Sequence, residues 1–564
     1  MDERIGRLLT FVYGAETAQS ILPRLEELLD EFRGQILARP VRRHFDHRDT
    51  VLITYGDILQ HGDEPPLQTL RRFLQASVGG LVRGVHLLPF FPYSSDDGFA
   101  VIDYQEVDPA LGDWTDVEAF GRSFHLMFDA VINHISRQSE WFQAFKRGEA
   151  PYTDFFVTVE PGADLSTVFR PRALPLLTPV ETAQGTKQVW TTFSADQIDL
   201  NYRSPELLLE ILRVLLSYVT HGAQMIRLDA IAFMWKEPGT SCIHRPRTHA
   251  LIQLMRAVLD EIAPQVALIT ETNVPHEENI SYFGDGQNEA QMVYNFSLPP
   301  LTLRAFHTGQ ATTLARWARG LTVPSDRVTF FNFLASHDGI GLTPARGILS
   351  DAEIEALVQR VQALGGYVSY KTNADGTQSA YELNINYLDA LGDPDKSPEE
   401  ELAARRFLAS QAIMLALRGV PGIYFHSLFG SRNWREGVAR TGQKRAINRQ
   451  KLQRDQLQRE LQGGLRRRVF GGYRRLLRVR TTEMAFHPYG QQRVLDLHPA
   501  VLAVERARGL AKVLCLHNVS REAITLDLPG NAWVDLLSEK ALSSEGVTLP
   551  PYGVLWLKRH WMEP

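Results

Sequence analysis

An α/β fold, in which eight parallel strands close into a barrel with helices outside, is predicted by three observations. Eight short apolar runs, each ending in polar or acidic residues, recur along the chain. Stretches with helical period, such as 205–219 and 248–262, separate several of them. The runs are apolar on both faces, as strands of a parallel sheet covered on both sides must be. Eight is the number that a (β/α)8 TIM barrel requires.

In chain order, residues 1–48 come first as a helical preface: Ile5, Leu8, Leu9, then Ile21, Leu22, Leu25, Leu28, Leu29 and Phe32 repeat at helical spacing among charges. The strand runs follow, as VLITYGD from Val51, GVHLLPFF from Gly84, LMFDAVINH from Leu126 and QMIRLDA from Gln224. The other four are VALITET from Val266, QMVYNF from Gln291, VTFFNFLASHD from Val328 and GIYFHS from Gly422. Their starts are 98 residues apart between the third and fourth and 94 between the seventh and eighth, far more than one strand and helix need. Two insertions are therefore expected, at 135–202 after strand 3 and at 339–400 after strand 7. The barrel is left with 49–134, 203–338 and 401–490. From 491 to 564 short alternating runs (VLAVER, AKVLCLHNV, AITLDLPG, VTLPPYGVLWLKR) predict a C-terminal antiparallel β domain without chemistry of its own.

Composition narrows the function. With 44% hydrophobic and 22% charged residues the chain is an ordinary globular one, neither disordered nor fibrous. A net charge of −5 gives no global basic field for nucleic acid or a membrane surface, and no reader motif occurs. Cys242 and Cys515 are too distant in sequence for a zinc pair, and no disulfide framework is expected, which fits a reducing cytoplasm. Neither a signal peptide nor an 18-residue apolar span is expected, so a small substrate would be met inside the cell. His276-Glu277-Glu278 lacks the second histidine of a zinc helix, and no metal or organic cofactor is expected. The oligomeric state is left open.

In such barrels the active residues sit at the C-terminal ends of strands. Asn133 and His134 close the third run, Arg227 and Asp229 the fourth, Glu271 the fifth, His337 and Asp338 the seventh. A single carboxylate at a strand end is commonly a helix cap or an ion-pair partner. Three of them, with two histidines and an arginine, point to one pocket. Two carboxyl groups flanking a glycosidic bond divide its cleavage into nucleophilic attack and proton transfer. Arg227 and Asp229, two apart on a strand, face the same side, so the cation is expected to keep the aspartate ionised. Glu271 ends an apolar strand, where its pKa is expected to rise.

IRLDAIA, ITET, ASHD and DAVINH, placed on these strands, resemble the four conserved regions of the α-amylase superfamily of glycoside hydrolases. The resemblance implies Asp229 as nucleophile, Glu271 as general acid/base and Asp338 as the transition-state stabiliser, with His134, Arg227 and His337 lining a glucose subsite. HLLPFFPYSSDDGFAVIDY, FRPRALPLLTP, NFSLPPL and RAINR are similar, more narrowly, to the sucrose phosphorylase subfamily. That likeness implies Asp96 and Arg449 clasping the far edge of the ring and Phe99 as an apolar platform. Arg172 and the polar loop at 370–378 would face the site where phosphate and leaving group alternate. Phosphate outcompetes water at a glucosyl-enzyme only if cations hold it, and Arg172 is able to do so bidentately.

The preface and the stretch SRNWREGVARTGQKRAINRQKL depart from sucrose phosphorylases and look closer to relatives with an anionic acceptor, glyceric acid or a fructose phosphate. The glucosylglycerate type is favoured, implying conversion of 2-O-(α-D-glucopyranosyl)-D-glycerate and phosphate to α-D-glucose 1-phosphate and D-glycerate with retention. Sucrose or sucrose 6′-phosphate phosphorolysis, α-glucoside hydrolysis or transglucosylation, and a catalytically silent binding barrel are the alternatives. Residues 432–480 hold 16 Lys or Arg against three acidic residues. Most of these are expected on a solvated, ion-paired helix, the first of them at the pocket mouth.

Overall fold

The computed structural model describes residues 2–36, 45–373, 375–395, 399–530 and 532–559. Parts of the expected preface (37–44), of the polar loop (374) and of the second insertion (396–398) lie outside the described residues, as does the chain end from 560.

The eight apolar runs form the expected barrel. Its strands are β1 (Val51–Thr54), β2 (Gly84–Leu87), β3 (His125–Ala130), β4 (Ala223–Leu228), β5 (Ala267–Thr270), β6 (Met292–Tyr294), β7 (Thr329–Phe333) and β8 (Val420–Tyr424). Each pairs in parallel with its chain neighbours, and β8 closes on β1. Helices Pro205–Thr220 and Pro246–Ile262 follow β3's insertion and β4, each with proline in the first turn, where its missing N–H is no loss.

The preface forms helices Glu3–Tyr13 and Ala15–Arg33, which lie on the two helices just named. Ile5, Leu9, Ile21, Leu25 and Leu29 are buried at that seam, and ion pairs rim it, Arg213 with Glu31 at 2.7 Å and Arg4 with Asp260 at 2.9 Å. Leu25→Ala, at a fully buried position, is expected to lower stability by about 2–5 kcal/mol through the cavity it leaves, measured by denaturant unfolding.

After β3 the chain forms strands His134–Ser136 and Gln197–Asp199, paired antiparallel, helix Glu140–Arg147 and the hairpin Leu177–Thr182/Gly185–Trp190. A buried ion pair, Lys236 Nζ to Asp199 at 2.6 Å, ties this insertion to the loop after β4. After β7 come helix Asp351–Ala363 and a hairpin of Tyr367–Thr372 with Gln378–Asn384. The C-terminal domain holds a six-stranded antiparallel sheet and its own apolar core, including Leu514, Leu516, Trp533 and Leu557.

The basic segment does not behave uniformly as a solvated helix. On helix Gly464–Thr482, Arg467 and Arg468 are exposed, but Arg480 is fully buried. It donates to the carbonyls of Leu415 at 3.2 Å, Asp49 at 3.2 Å and Gly419 at 3.3 Å, stapling the entries of β8 and β1. Burial pulls its pKa down to about 10.

Candidate active site

The ends of β3, β4, β5 and β7 converge on one cavity. Asp229 and Glu271 each follow in-register neighbours, Leu228 and Thr270, so the two carboxylates leave adjacent strands at one level. Arg227 lies beneath both, 2% exposed: its Nη1 donates to Asp229 Oδ1 at 2.8 Å, and its Nη2 stands 4.0 Å from Glu271 Oε2. The same Nη1 is bonded to Asp129 on β3, whose other oxygen accepts from His86 Nε2 on β2 at 2.6 Å. Burial alone would raise Asp129, but Arg227 and His86 outweigh it and bring its pKa to about 2. Asp129→Ala is therefore expected to cost about 3–5 kcal/mol of stability, read by denaturant unfolding, since it strips a buried cation of its ionised partner.

Arg227 alone does not set the state of Asp229, as their spacing in the sequence suggested it would. Burial dominates and raises its pKa well above that range, and repulsion from Glu271, Asp129 and Asp338 adds to it. Glu271 is likewise raised, mainly by burial, as expected from its strand, although Arg227 and the N–H of Ala230, at 2.9 Å, act the other way. Ala230 adopts φ 49°, a left-handed conformation costly for alanine, and this aims its N–H at Glu271.

Asp338 is different. Burial opposes its ionisation, but Arg445, Arg449 and Arg227 together hold its pKa below the usual value. Arg445 Nη1 touches Asp338 Oδ1 at 2.6 Å, and Asn448 Nδ2 donates to the Asp338 carbonyl at 3.1 Å. His337 stacks on Phe99 with ring centroids 4.6 Å apart and planes 6° apart. Burial, with Arg227 and Arg449 nearby, drives its pKa well below the ordinary value and keeps it neutral. His134 donates from Nε2 to the Phe99 carbonyl at 2.9 Å, and burial lowers its pKa too.

The loop after β2 is strained. Asp96 and Asp97 have φ of 51° and 49°, and Gly98, at φ 107°, packs so that a Cβ would lie 2.7 Å from the Pro89 carbonyl oxygen. Ion pairs hold the strain: Arg449 Nη1 meets Asp97 Oδ2 at 2.7 Å and Asp96 Oδ1 at 3.5 Å, and Ser94 donates to Asp196 at 2.6 Å.

Asp96, Phe99, His134, Arg172, Asp229, Glu271, His337 and Asp338 line the cavity. Arg227 and Arg449 stand behind the wall, touching it through the carboxylates they pair with. Arg172, from the first insertion, lies between the rings of Phe193 at 5.6 Å and Tyr381 at 5.5 Å. The described residues of the polar loop expected to face the acceptor side do not line the cavity. Tyr370 stands 40% exposed outside it, and Tyr381 and Glu382, on the strand that follows, supply the wall.

Asp97, Arg445 and Glu382 were not singled out from sequence. Arg445 had a signal, lying one helical turn before Arg449 in RAINR on the short helix Lys444–Asn448. Glu382 had a weaker one, as a lone carboxylate in the otherwise uncharged strand run SAYELNIN.

A model described as the alpha amylase catalytic domain matches residues 79–339, and one described as the maltogenic amylase C-terminal domain matches 493–556. The chain is 52% identical over 527 residues to a glucosylglycerate phosphorylase of Spirochaeta thermophila, covering 92% of this chain and 89% of that one. It is 45% identical to a glucosylglycerate phosphorylase of Escherichia coli, covering 99% and 100% of the two chains. A solved sucrose 6F-phosphate phosphorylase from Thermoanaerobacter thermosaccharolyticum shares the fold, with a TM-score of 0.75 at 24% identity over 88% of this chain and 98% of that one. By these likenesses, and by the carboxylates its strands bring together, the chain belongs to the α-amylase family, in the branch of the glucosylglycerate phosphorylases.

Proposed function

We propose that the enzyme is a retaining glucosyl phosphorylase that converts 2-O-(α-D-glucopyranosyl)-D-glycerate and phosphate to α-D-glucose 1-phosphate and D-glycerate. One observation carries the chemistry: Asp229 and Glu271 share the buried guanidinium of Arg227 at the cavity floor, at 2.8 Å and 4.0 Å. Two buried carboxyls so close to one cation hold one proton between them. Burial raises both carboxyls, so the pair as a whole keeps a proton; because only Asp229 is bonded directly to Arg227, we assign the remaining charge to Asp229 and the proton to Glu271.

Asp229 then attacks the anomeric carbon while Glu271 gives its proton to the departing glycerate oxygen, forming a β-glucosyl ester on Asp229. Phosphate attacks from the vacated side, releases the ester and returns its proton to Glu271. Two inversions retain the α configuration. Ionised Asp338 suits a group that grips the sugar hydroxyls and offsets the oxocarbenium charge. In this reading Asp96 and Phe99 shape the far side of the ring, and Arg449 fixes the strained loop that carries them. Arg172, flanked by aromatic rings, supports a reading as the handle for phosphate and the carboxylate of glycerate.

Among the described residues no helix is long and apolar enough to cross a membrane. We place the reaction in the cytoplasm, where a phosphorylated product stays. The acceptor is tested in the synthetic direction, with glucose 1-phosphate as donor. Glycerate is expected to give the fastest phosphate release, ahead of glycerol, fructose and fructose 6-phosphate. A faster rate with any of these would replace glycerate.

A further inference from the structure

A second cavity, sharing no lining residue with the first, opens where four parts of the chain meet: the second insertion, the helix Glu400–Ala416 that leads into β8, the loop after β8 and the C-terminal domain. Its space of about 350 Å³ is in the range of small-molecule pockets. Four arginines line it, Arg406 from that helix, Arg432 and Arg435 from the loop, and Arg521 from the C-terminal domain. The chemistry described above uses none of them.

Two of the four are answered by carboxylates of the second insertion. Arg432 Nη1 meets Asp389 Oδ1 at 2.6 Å, and Arg521 Nη1 meets Asp393 Oδ2 at 3.3 Å. Arg406 and Arg435 form no ion pair among the described residues. Arg435 is nevertheless set in place: its Nη2 donates to the Leu364 carbonyl at 3.2 Å and packs against Gly365, where a Cβ would collide with it. Arg406 is half-buried, its guanidinium 5.7 Å from the centre of the Tyr552 ring, and its Nε is sealed from solvent without an acceptor. Burial pulls its pKa down, and Tyr552 and Asp393 offset this only in part. The one other carboxylate of the wall, Glu399, is exposed and pairs with neither arginine.

A cation taken from water without a counter-charge is costly, so an anion in this cavity would be favoured. The arginines come from three separate segments. A planar carboxylate is satisfied by one or two guanidinium forks, whereas a phosphate group turns three acceptor oxygens and about two negative charges towards its surroundings, which suits two unanswered guanidiniums with further donors beside them. We propose that this cavity is a second anion site, separate from the reaction centre, which takes the phosphate group of inorganic phosphate or of a phosphorylated sugar on Arg406 and Arg435, with Arg432 and Arg521 as further donors. The site does not depend on the phosphorylase reading.

Equilibrium dialysis of the whole protein tests it, with radiolabelled inorganic phosphate and, separately, radiolabelled glucose 6-phosphate. The parent is compared with the double variant Arg406→Gln/Arg435→Gln. Any binding at the reaction centre is common to both proteins, so the difference between them isolates the second site. At saturation the parent is expected to hold one more anion per chain than the double variant, and the tighter of the two ligands identifies the source. Arg435→Gln alone removes one charge-assisted fork and is expected to weaken the second site by about tenfold or more.

A cooperative thermal transition, with turnover of the glucoside within about twofold of the parent, shows that the variants are folded. Should the double variant not fold, Arg435→Gln, whose parent side chain is exposed, carries the test by the same tenfold criterion. Binding of both ligands that is equal in number and affinity in parent and variants would overturn the proposal. So would an additional site that acetate empties as readily as unlabelled phosphate, because any anion would then serve. If the reaction centre binds no phosphate, the phosphorylase reading fails, while the difference between parent and variants still decides the second site.

Discussion

Asp229→Asn is expected to lower kcat by about 10⁴-fold or more on every glucoside, the largest effect of any single change in this protein. The amide keeps the size and the contact with Arg227, so the cavity stays shaped, but it cannot form the glucosyl ester. Arg227 still pairs with Asp129, which is why the variant is expected to remain folded. The check is direct. A 2-deoxy-2-fluoro-α-glucosyl fluoride should leave a stable fluoroglucosyl mass on the peptide containing Asp229 in the parent, and none in the variant. Turnover within about tenfold of the parent would exclude a covalent role for this residue.

The second effect belongs to Glu271→Gln. General acid catalysis contributes about 10²–10⁴-fold, and it matters in proportion to how poorly the leaving group departs alone. Loss of that order is expected with glycerate as leaving group. With α-glucosyl fluoride, whose fluoride leaves with little protonic help, formation of the glucosyl-enzyme should be much less impaired. The measurement is the ratio of the two losses, and equal losses on both substrates would show that Glu271 does not deliver the proton.

Both residues were legible because a barrel makes strand ends predictable. Runs buried on both faces mark the strands, and the first polar residues past them must emerge on one side of the sheet. Asp229, Glu271 and Asp338 therefore stand together although more than a hundred residues separate the first from the last. Glu382 and Asp97 were not legible in this way. They sit in an insertion and in a strained loop, where the path of the backbone is set by tertiary contacts that no periodicity records. Arg445 belongs with them: its place follows from meeting Glu382 and Asp338, which approach from elsewhere in the chain.

Charge was harder to read than position. The spacing of Arg227 and Asp229 gave the pair but not the balance, because a sequence shows a cation two residues away but not the burial of the site or the three further carboxylates nearby. The basic stretch at 432–480 shows the same limit. Arg445 and Arg449 serve the site, Arg480 is sealed beneath the barrel, and exposed arginines share the helix with it. Composition treats all of them alike.

Phosphate, rather than water, is expected to resolve the glucosyl-enzyme. It is tested by following purified protein with 2-O-(α-D-glucopyranosyl)-D-glycerate, measuring glucose 1-phosphate and free glucose with and without inorganic phosphate. α-D-Glucose 1-phosphate is expected in step with glycerate when phosphate is present, and little release of either glycerate or glucose when it is absent. Free glucose formed at the same rate in both conditions would contradict it and make the enzyme a hydrolase.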